Sequence, residues 1–525
     1  MLFLPPPPPY NFLRIFLTKH TKILPLLCLF VFIIAFGLRL FSIYHKNAFH
    51  VDETLSVSIS NASGYVWGKA LPNGEFFGKE LKEMVYWDNP TLSDVWQDIR
   101  KLWINNNGDL DHPNLYYVLL RLWNAGVKTG DFEWIKQRGL GLNLVFFVLS
   151  FCIVGALGYR LLGASYLVPL LLSLVFLNSA GVSNTIFLRE YALQECLIWL
   201  FVLNSVLFYQ SVKVRFWFVV YYGFCTGLLL LSGYFSLFFV ALGVVALAVG
   251  KWRNLWTMVS LGIVVGSAFV WSRILYKSYF VGLRDSGRAK EAKAKVDFAM
   301  LFENLKQSLL ALWDMLQTHY NLYVLCALGL GLLCAFIWRK THIDVRWRML
   351  VVLGCVACVW VLLVMYLAPY KTLRYIVPAF GLLYCLAVAM LYMWRKSVVG
   401  LALAAIMLGG LGAQYTLNHN MLVPMEQYAF AQQYRSPVVV TLPNWSWQYG
   451  TLVYLFNDIG KYFIESNPAQ SRALLQALLQ KHESVYYIGL KDSLSKNLAG
   501  FWITNCQEEG AYRRMSCLVR LKNSQ

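Results

Sequence analysis

Apolar residues run along this chain in long blocks instead of alternating with polar ones. The first block, residues 23–43, is almost unbroken, and at ~1.5 Å per residue it is long enough to cross a bilayer as a helix. Further blocks lie near 141–161, 166–183, 192–211, 216–232, 235–250, 256–275, 320–338, 349–367, 374–393 and 397–415, which predicts a polytopic α-helical membrane protein of about eleven transmembrane helices. Residues 216–250 form one apolar stretch broken at Ser232-Gly-Tyr-Phe-Ser236. Two short spans are expected there, because the basic flanks at both ends then fall on one side. The first block lacks a small-residue cleavage site and follows Pro5–Pro9 and a basic flank. It reads as a retained signal anchor.

Three segments between the blocks are large: 44–140, 276–319 and 416–525. Within the first, Leu115–Trp123 is apolar and aromatic but too short to span, and is expected in the membrane interface. Gly287–Lys295 is small and basic; it fits a mobile loop over a site and equally a solvated helix face. The last segment changes character. Ser436-Pro-Val-Val-Val-Thr-Leu442, Ser484-Val-Tyr-Tyr-Ile-Gly-Leu490 and Met515-Ser-Cys-Leu-Val-Arg-Leu521 read as strands, and residues 469–481 have helical periodicity. The chain therefore divides into a membrane-embedded part, 1–415, with outer loops 44–140 and 276–319, and a soluble α/β domain, 416–525. Nine of the eleven cysteines lie in or beside apolar blocks and read as packing residues. The other two, Cys506 and Cys517, would face each other across a hairpin of 501–506 and 515–521, and a disulfide is expected. No CxxC or HExxH spacing occurs, so no zinc site can be argued.

Composition agrees with the pattern: 58% of residues are hydrophobic, 14% are charged, and mean hydropathy is +0.51. The net charge of +19 would suit nucleic acid, but its distribution argues against that partner. Alternate inter-helix segments carry 14 basic residues against one acid, Asp344, whereas residues 44–112 carry 6 basic and 10 acidic ones. This positive-inside bias puts the N-terminus in the cytoplasm and the three large segments outside.

Four polar clusters then share the outer side. The first is the acidic pair Asp52–Glu53, nine residues past the first block. Two adjacent carboxylates beside a membrane repel each other and lose hydration, which suggests proton abstraction or cation binding. The second is Asp109-Leu-Asp-His-Pro-Asn-Leu-Tyr-Tyr117, the third Phe187-Leu-Arg-Glu-Tyr191, and the fourth Ala368-Pro-Tyr-Lys-Thr-Leu-Arg-Tyr-Ile-Val-Pro378. Early carboxylates and a histidine, joined by a late lysine and arginine, suit a base that deprotonates a hydroxyl while cations hold a departing phosphate. Arg374 offers a bidentate fork and Lys371 a point charge.

The order of these strings resembles the GT-C class of integral-membrane glycosyltransferases, in particular the bacterial branch related to protein O-mannosyltransferases and the lipid A aminoarabinose transferase. Those enzymes carry an acidic motif after the first transmembrane helix, matched by His50-Val-Asp-Glu-Thr. A His-Pro-Pro-Leu-Tyr-Tyr-like string before a Leu-Trp helix is followed closely by Asp111-His-Pro-Asn-Leu-Tyr-Tyr, with Asn114 in place of the second proline. Arg189-Glu-Tyr-Ala-Leu193 and Arg374-Tyr-Ile-Val-Pro378 match two later motifs, and the likeness covers roughly residues 23–393.

The resemblance implies inverting transfer of a sugar from a polyprenyl-phosphate or polyprenyl-diphosphate donor to a lipid, glycan or protein acceptor. The place would be the periplasmic face of a bacterial inner membrane, with membrane lipids around a groove for the donor's tail. Asp52 would be the base, with Glu53 as the alternative, and Lys371 and Arg374 would hold the leaving phosphate. Asp111, His112, Arg189, Glu190 and Tyr191 would order sugar or acceptor, with Asp111 fixing the His112 tautomer or capping the next helix. A divalent metal beside Asp52 and Glu190 is compatible with that scheme and nothing in the spacing requires one. Two other readings remain: a flippase or transporter for lipid-linked saccharides, which should place ionisable groups inside its spans, and an O-antigen ligase or polymerase, which would concentrate its key residues in a late outer loop.

Overall fold

The computed structural model describes residues 23–46, 49–61, 71–85, 91–128, 131–211, 213–295, 301–319, 345–368, 370–394, 398–413, 437–442, 452, 456–509 and 514–522. Helices occupy ten of the eleven apolar blocks; the block at 320–338 lies outside the described residues. Among the described residues four helices, Ile23–His45, Phe132–Leu162, Tyr191–Gln210 and Leu255–Leu275, are long and apolar enough on their own to cross a membrane. A fifth crossing is available if Leu167–Phe176 and Ser179–Thr185, bent by 59° to each other, make one span.

The first helix shows how the bundle assembles. Val31, Ala35, Arg39 and Ile43 recur every four residues and are buried, while Phe30, Ile33 and Phe41 on the other faces are exposed. A single stripe of this spacing packs against neighbours and leaves the rest for lipid. On that side Phe32 stacks with Phe147 and meets Phe151 edge-on. The Arg39 guanidinium lies inside the span and is consumed locally. It donates to Ala35 O (3.0 Å), Phe176 O (2.9 Å) and Thr185 Oγ1 (3.0 Å) and rests 4.0 Å from the Phe147 ring. It thereby supplies a partner for a carbonyl freed where Leu167–Phe176 breaks.

The expected interruption near Ser232 is present. One helix ends at Leu230 and the next starts at Ser236, both apolar and both short. Gly287–Lys295 forms a helix.

The α/β unit is a six-stranded sheet, ordered β1 (Gly74–Phe77), β3 (Lys461–Ile464), β2 (Val438–Thr441), β4 (Val485–Leu490), β6 (Arg514–Leu521) and β5 (Phe501–Glu509). The central pairs β3–β2 and β2–β4 are parallel and the outer ones antiparallel. Alternation decides its two faces. Val439, Val485 and Tyr487 pack under the Pro468–Leu479 helix, while Val438, Val440 and Ile488 face the main core.

A boundary at residue 416 does not contain this sheet, because β1 comes from the first outer segment. It pairs antiparallel with β3, Gly74 opposite Ile464 and Phe77 opposite Lys461. Lys461–Glu75 and Lys82–Asp458, each at 2.7 Å, tie the same two segments together. An edge strand offers an unpaired row of donors and acceptors, and the first outer segment covers it. On the other side of the sheet β5 and β6 form a hairpin, and Cys506 and Cys517 are joined as a disulfide.

Candidate active site

The acidic pair opens the helix Val51–Ser60, which begins soon after the end of the first span. His50 has extended backbone and caps that helix, its Nδ1 accepting from the Asp52 N–H at 3.2 Å. Glu53 returns the favour by accepting the His50 N–H at 2.8 Å, which completes a capping box. Adjacent residues on a helix point in different directions, and the two carboxylates meet different fates.

Glu53 has no exposure at all. Its Oε2 also takes the Lys46 ammonium at 3.0 Å, and its Oε1 takes the Leu188 N–H at 2.8 Å. Burial pushes its pKa up, against the opposing pull of Lys46 and two backbone N–H groups. Burial likewise pushes Lys46 down, against Glu53. With both oxygens engaged, Glu53 fixes the turn 187–190 to the end of the first span, and its complete burial keeps it from facing a substrate.

Asp52 keeps about 17% of its side-chain surface and meets Arg374 Nη1 at 2.6 Å. Burial would raise its pKa, but Arg189 and Arg374, with His50 and His112, outweigh burial and hold it well below the carboxylate range. His50 goes the other way for its type. Burial, with the positive charges of Arg374, Arg189 and Lys46, outweighs Asp52 and brings it down to about 4, so its cap nitrogen stays an acceptor at neutral pH.

A second network runs from the 109–112 turn. Asp109, buried, accepts from His112 Nδ1 at 2.9 Å, and His112 Nε2 lies 3.0 Å from Arg189 Nη2. Arginine can only donate, so Nε2 is the acceptor and the Nδ1–H points at Asp109. The tautomer is thus set by Asp109 and not by Asp111, because the turn places the residue at i−3 against the ring. Asp111 instead accepts the Arg288 N–H at 3.3 Å. Arg189 Nη1 also donates to Tyr117 Oη at 2.8 Å and Ser56 Oγ at 3.3 Å. Arg189 Nε and Glu190 Oε2 are 3.4 Å apart, within ion-pair range, yet both atoms are buried without a hydrogen-bond partner among the described residues.

Beside Glu190 opens a cavity of about 250 Å³ whose walls include Asp111, His112, Glu190, Gln194, Arg288 and Tyr375. Tyr191 lines it too, with its ring centroid 6.0 Å from that of Tyr375. The break at 232–235 supplies the floor, where a Cβ on Gly233 would stand 2.9 Å from the Gln194 amide nitrogen. Gly282 is equally constrained, since a Cβ there would overlap the Tyr234 hydroxyl at 1.9 Å. Arg288 donates to Tyr375 Oη at 2.7 Å from one side, and the Arg374 guanidinium lies 5.5 Å from the same ring. Tyr375 therefore stands between two cations, with Asp52 behind the second.

Lys371 is absent from this arrangement. Its ammonium donates to the carbonyls of Met365, Tyr366 (3.1 Å) and Ala368 (3.5 Å), at the end of the Val345–Leu367 helix. The last carbonyls of a helix lack intrahelical partners and attract the nearest cation. Burial, helped by Lys295 nearby, brings Lys371 down to about 8.

Among the described residues, no three His, Cys, Asp or Glu side chains converge in a way that would hold a metal. The two carboxylates nearest such a role, Asp52 and Glu190, each face an arginine, a setting that repels a cation.

No protein-family model matches the chain, and no curated protein matches it. Solved structures do. ArnT from Cupriavidus metallidurans in the apo state is 12% identical with a TM-score of 0.46, over 88% of this chain and 95% of that one. The same protein bound to undecaprenyl phosphate is 11% identical with a TM-score of 0.44, over 95% and 98%. The archaeal oligosaccharyltransferase AglB from Archaeoglobus fulgidus, in complex with an inhibitory peptide and a dolichol-phosphate, is 10% identical with a TM-score of 0.44, over 89% and 69%. At these identities no residue role carries across from them.

Sequence reasoning missed three participants. Asp109 stands in the same string as Asp111, and nothing in the sequence distinguishes the two. Arg288 lies in a basic helix with no single distinguishing residue, and Lys46 and Glu53 pair across seven positions, a spacing that no local motif marks.

Proposed function

We propose that this protein is a membrane glycosyltransferase that moves one sugar from a polyprenyl-phosphate-linked donor to a hydroxyl acceptor on the outer face of a bacterial inner membrane. The observation that carries the reading is the Asp52–Arg374 pair, an ionised and partly accessible carboxylate in contact with an anion-binding guanidinium. Asp52 would take the acceptor's hydroxyl proton as the acceptor oxygen attacks the anomeric carbon. The bond from that carbon to the phosphate oxygen breaks, its electron pair leaves on the polyprenyl phosphate, and the configuration inverts.

Arg374 and Arg288, on either side of Tyr375, would carry the charge of the leaving phosphate. Arg288 thus replaces Lys371 in that role. The neighbouring cavity suits the donor sugar. Its volume of about 250 Å³ lies just below the roughly 300–1,000 Å³ of most ligand pockets, and favours a single ring over an oligosaccharide. Aromatic walls give stacking surfaces, and Glu190, Gln194 and His112 give hydrogen-bonding groups at its edge. Glu53 would act by fixing the turn that presents Arg189 and Glu190.

The test is transfer in vitro from a panel of polyprenyl-phosphate sugars, with product mass as readout. One added sugar is expected, and Asp52→Asn should retain its fold and lose about 10²–10⁴-fold in rate. En bloc glycan transfer would favour a ligase, and movement of the donor without a new bond would favour a flippase. Transfer by Asp52→Asn at the wild-type rate would remove Asp52 as the base.

A further inference from the structure

We propose that Arg374 changes partner during the cycle: it is held by Asp52 in the unloaded protein and passes to the donor phosphate, so that the acceptor hydroxyl is activated only after the donor has bound. This rests on the transferase reading above and adds an order of events to it.

The geometry sets Arg374 apart from the other cations of the cluster. Arg189 is committed, with bonds to Tyr117, Ser56 and His112. Lys46 is committed to Glu53, while Arg288 donates to the neutral Tyr375 hydroxyl and does not hold Asp52. Arg374 has Asp52 at 2.6 Å, and its Nε is buried without a hydrogen-bond partner among the described residues. Its guanidinium lies against the rings of Phe187 (5.4 Å) and Tyr375 (5.5 Å), which hold the group in place while leaving its donors to choose a partner. Both members keep some exposure, 18% for Arg374 and 17% for Asp52, so an incoming anion can reach the pair.

The chemistry of Asp52 requires the exchange. A carboxylate in a short ion pair binds protons weakly, and this one is faced by positive or polar groups from every side. His50 comes from its own helix cap, Arg189 from the 187–190 turn, His112 from the 109–112 turn and Arg374 from the loop before residue 377. Arg189 and the two histidines have other bonds to keep, so Arg374 is the partner that can leave. A phosphate offers it two oxygens in the bidentate geometry that guanidinium prefers. Its charge also raises the proton affinity of a nearby carboxylate. The donor would thereby create the base that uses it.

The experiment follows the Asp52 carboxylate by infrared difference spectroscopy in lipid nanodiscs, with Asp52→Asn as the subtraction, and titrates it with and without a polyprenyl phosphate that carries no sugar. Lipid binding is measured in parallel by native mass spectrometry. The expected result is at least a tenfold rise in Asp52 proton affinity when the lipid phosphate binds. Arg374→Gln should show the raised affinity without lipid and move no further. Binding of the lipid phosphate with an unmoved Asp52 overturns the exchange and leaves the transferase reading standing. Failure of the wild type to bind any polyprenyl phosphate overturns the donor class itself, and the exchange with it. The wild-type comparison decides whether or not the variant folds.

Discussion

Lys46 and Glu53 form an ion pair of 3.0 Å in which neither side chain has any exposure. It ties the end of the first span to the helix that bears Asp52, and through Leu188 it fastens a loop 135 positions away in sequence. Removing one member leaves the other charged and dry. Glu53→Gln should therefore lower stability by about 3–5 kcal/mol and reduce yield of folded protein. The double variant Lys46→Met/Glu53→Gln should recover most of that loss, because two neutral groups strand no charge. Thermal midpoints in detergent decide the matter, and a double variant no better than the single one would speak against the pair as the cause.

His50 gives a pH dependence with a definite sign. Its pKa falls from 6.5 unfolded to about 4 folded, so between those values the unfolded chain holds the extra proton. Stability then rises with pH across that window and is lost as pH drops through it. At about 1.36 kcal/mol per unit, the loss by pH 4 is at most about 3 kcal/mol. Protonation also removes the acceptor that caps the Val51–Ser60 helix. His50→Asn keeps a capping oxygen without a titrating ring, and its midpoint between pH 7 and 4.5 should fall less than that of the wild type.

Arg288 and Lys371 separate two kinds of cation. Arg288→Gln should raise the donor KM about ten- to hundredfold, the worth of a charge-assisted hydrogen bond. Lys371→Gln should leave donor KM within about twofold of wild type, and act instead on stability through the uncapped end of the Val345–Leu367 helix. Equal effects on donor KM would return Lys371 to the phosphate site.

Cys506 and Cys517 should resist thiol labelling in untreated protein and become reactive together after reductant. The bridge spans 11 positions, which by loop-closure entropy corresponds to about 2–3 kcal/mol. Two freely labelled outer thiols before reduction would rule it out.

Hydrophobic blocks located the helices because a lipid solvent forces backbone bonds inside each segment. Thus the break at 232–236, the ends of most spans and the strands β2, β4 and β6 with the β5 hairpin arm were legible as pattern, while β1 and β3 were not. The functional strings were legible too, since Asp52, His112, Glu190 and Arg374 each carry polar chemistry where the surroundings are apolar. What those strings did not reveal was assignment within them. Asp52 and Glu53 are neighbours of identical charge type, and so in practice are Asp109 and Asp111. Which of each pair faces the solvent depends on where a turn or helix points its Cβ, and no composition states that.

The sequence by itself determined that the chain lives in a membrane, where its helices run, and which short polar strings could do chemistry. Only the tertiary structure decided that Glu53 is sealed against Lys46 and Leu188 while Asp52 meets Arg374, that Lys371 is spent on a helix end, and that β1 leaves the first outer segment to finish a sheet made of the last. The reason is physical. Periodicity and hydropathy act over one turn or one strand, whereas an ion pair or a ladder edge joins groups hundreds of residues apart, and only packing brings those together.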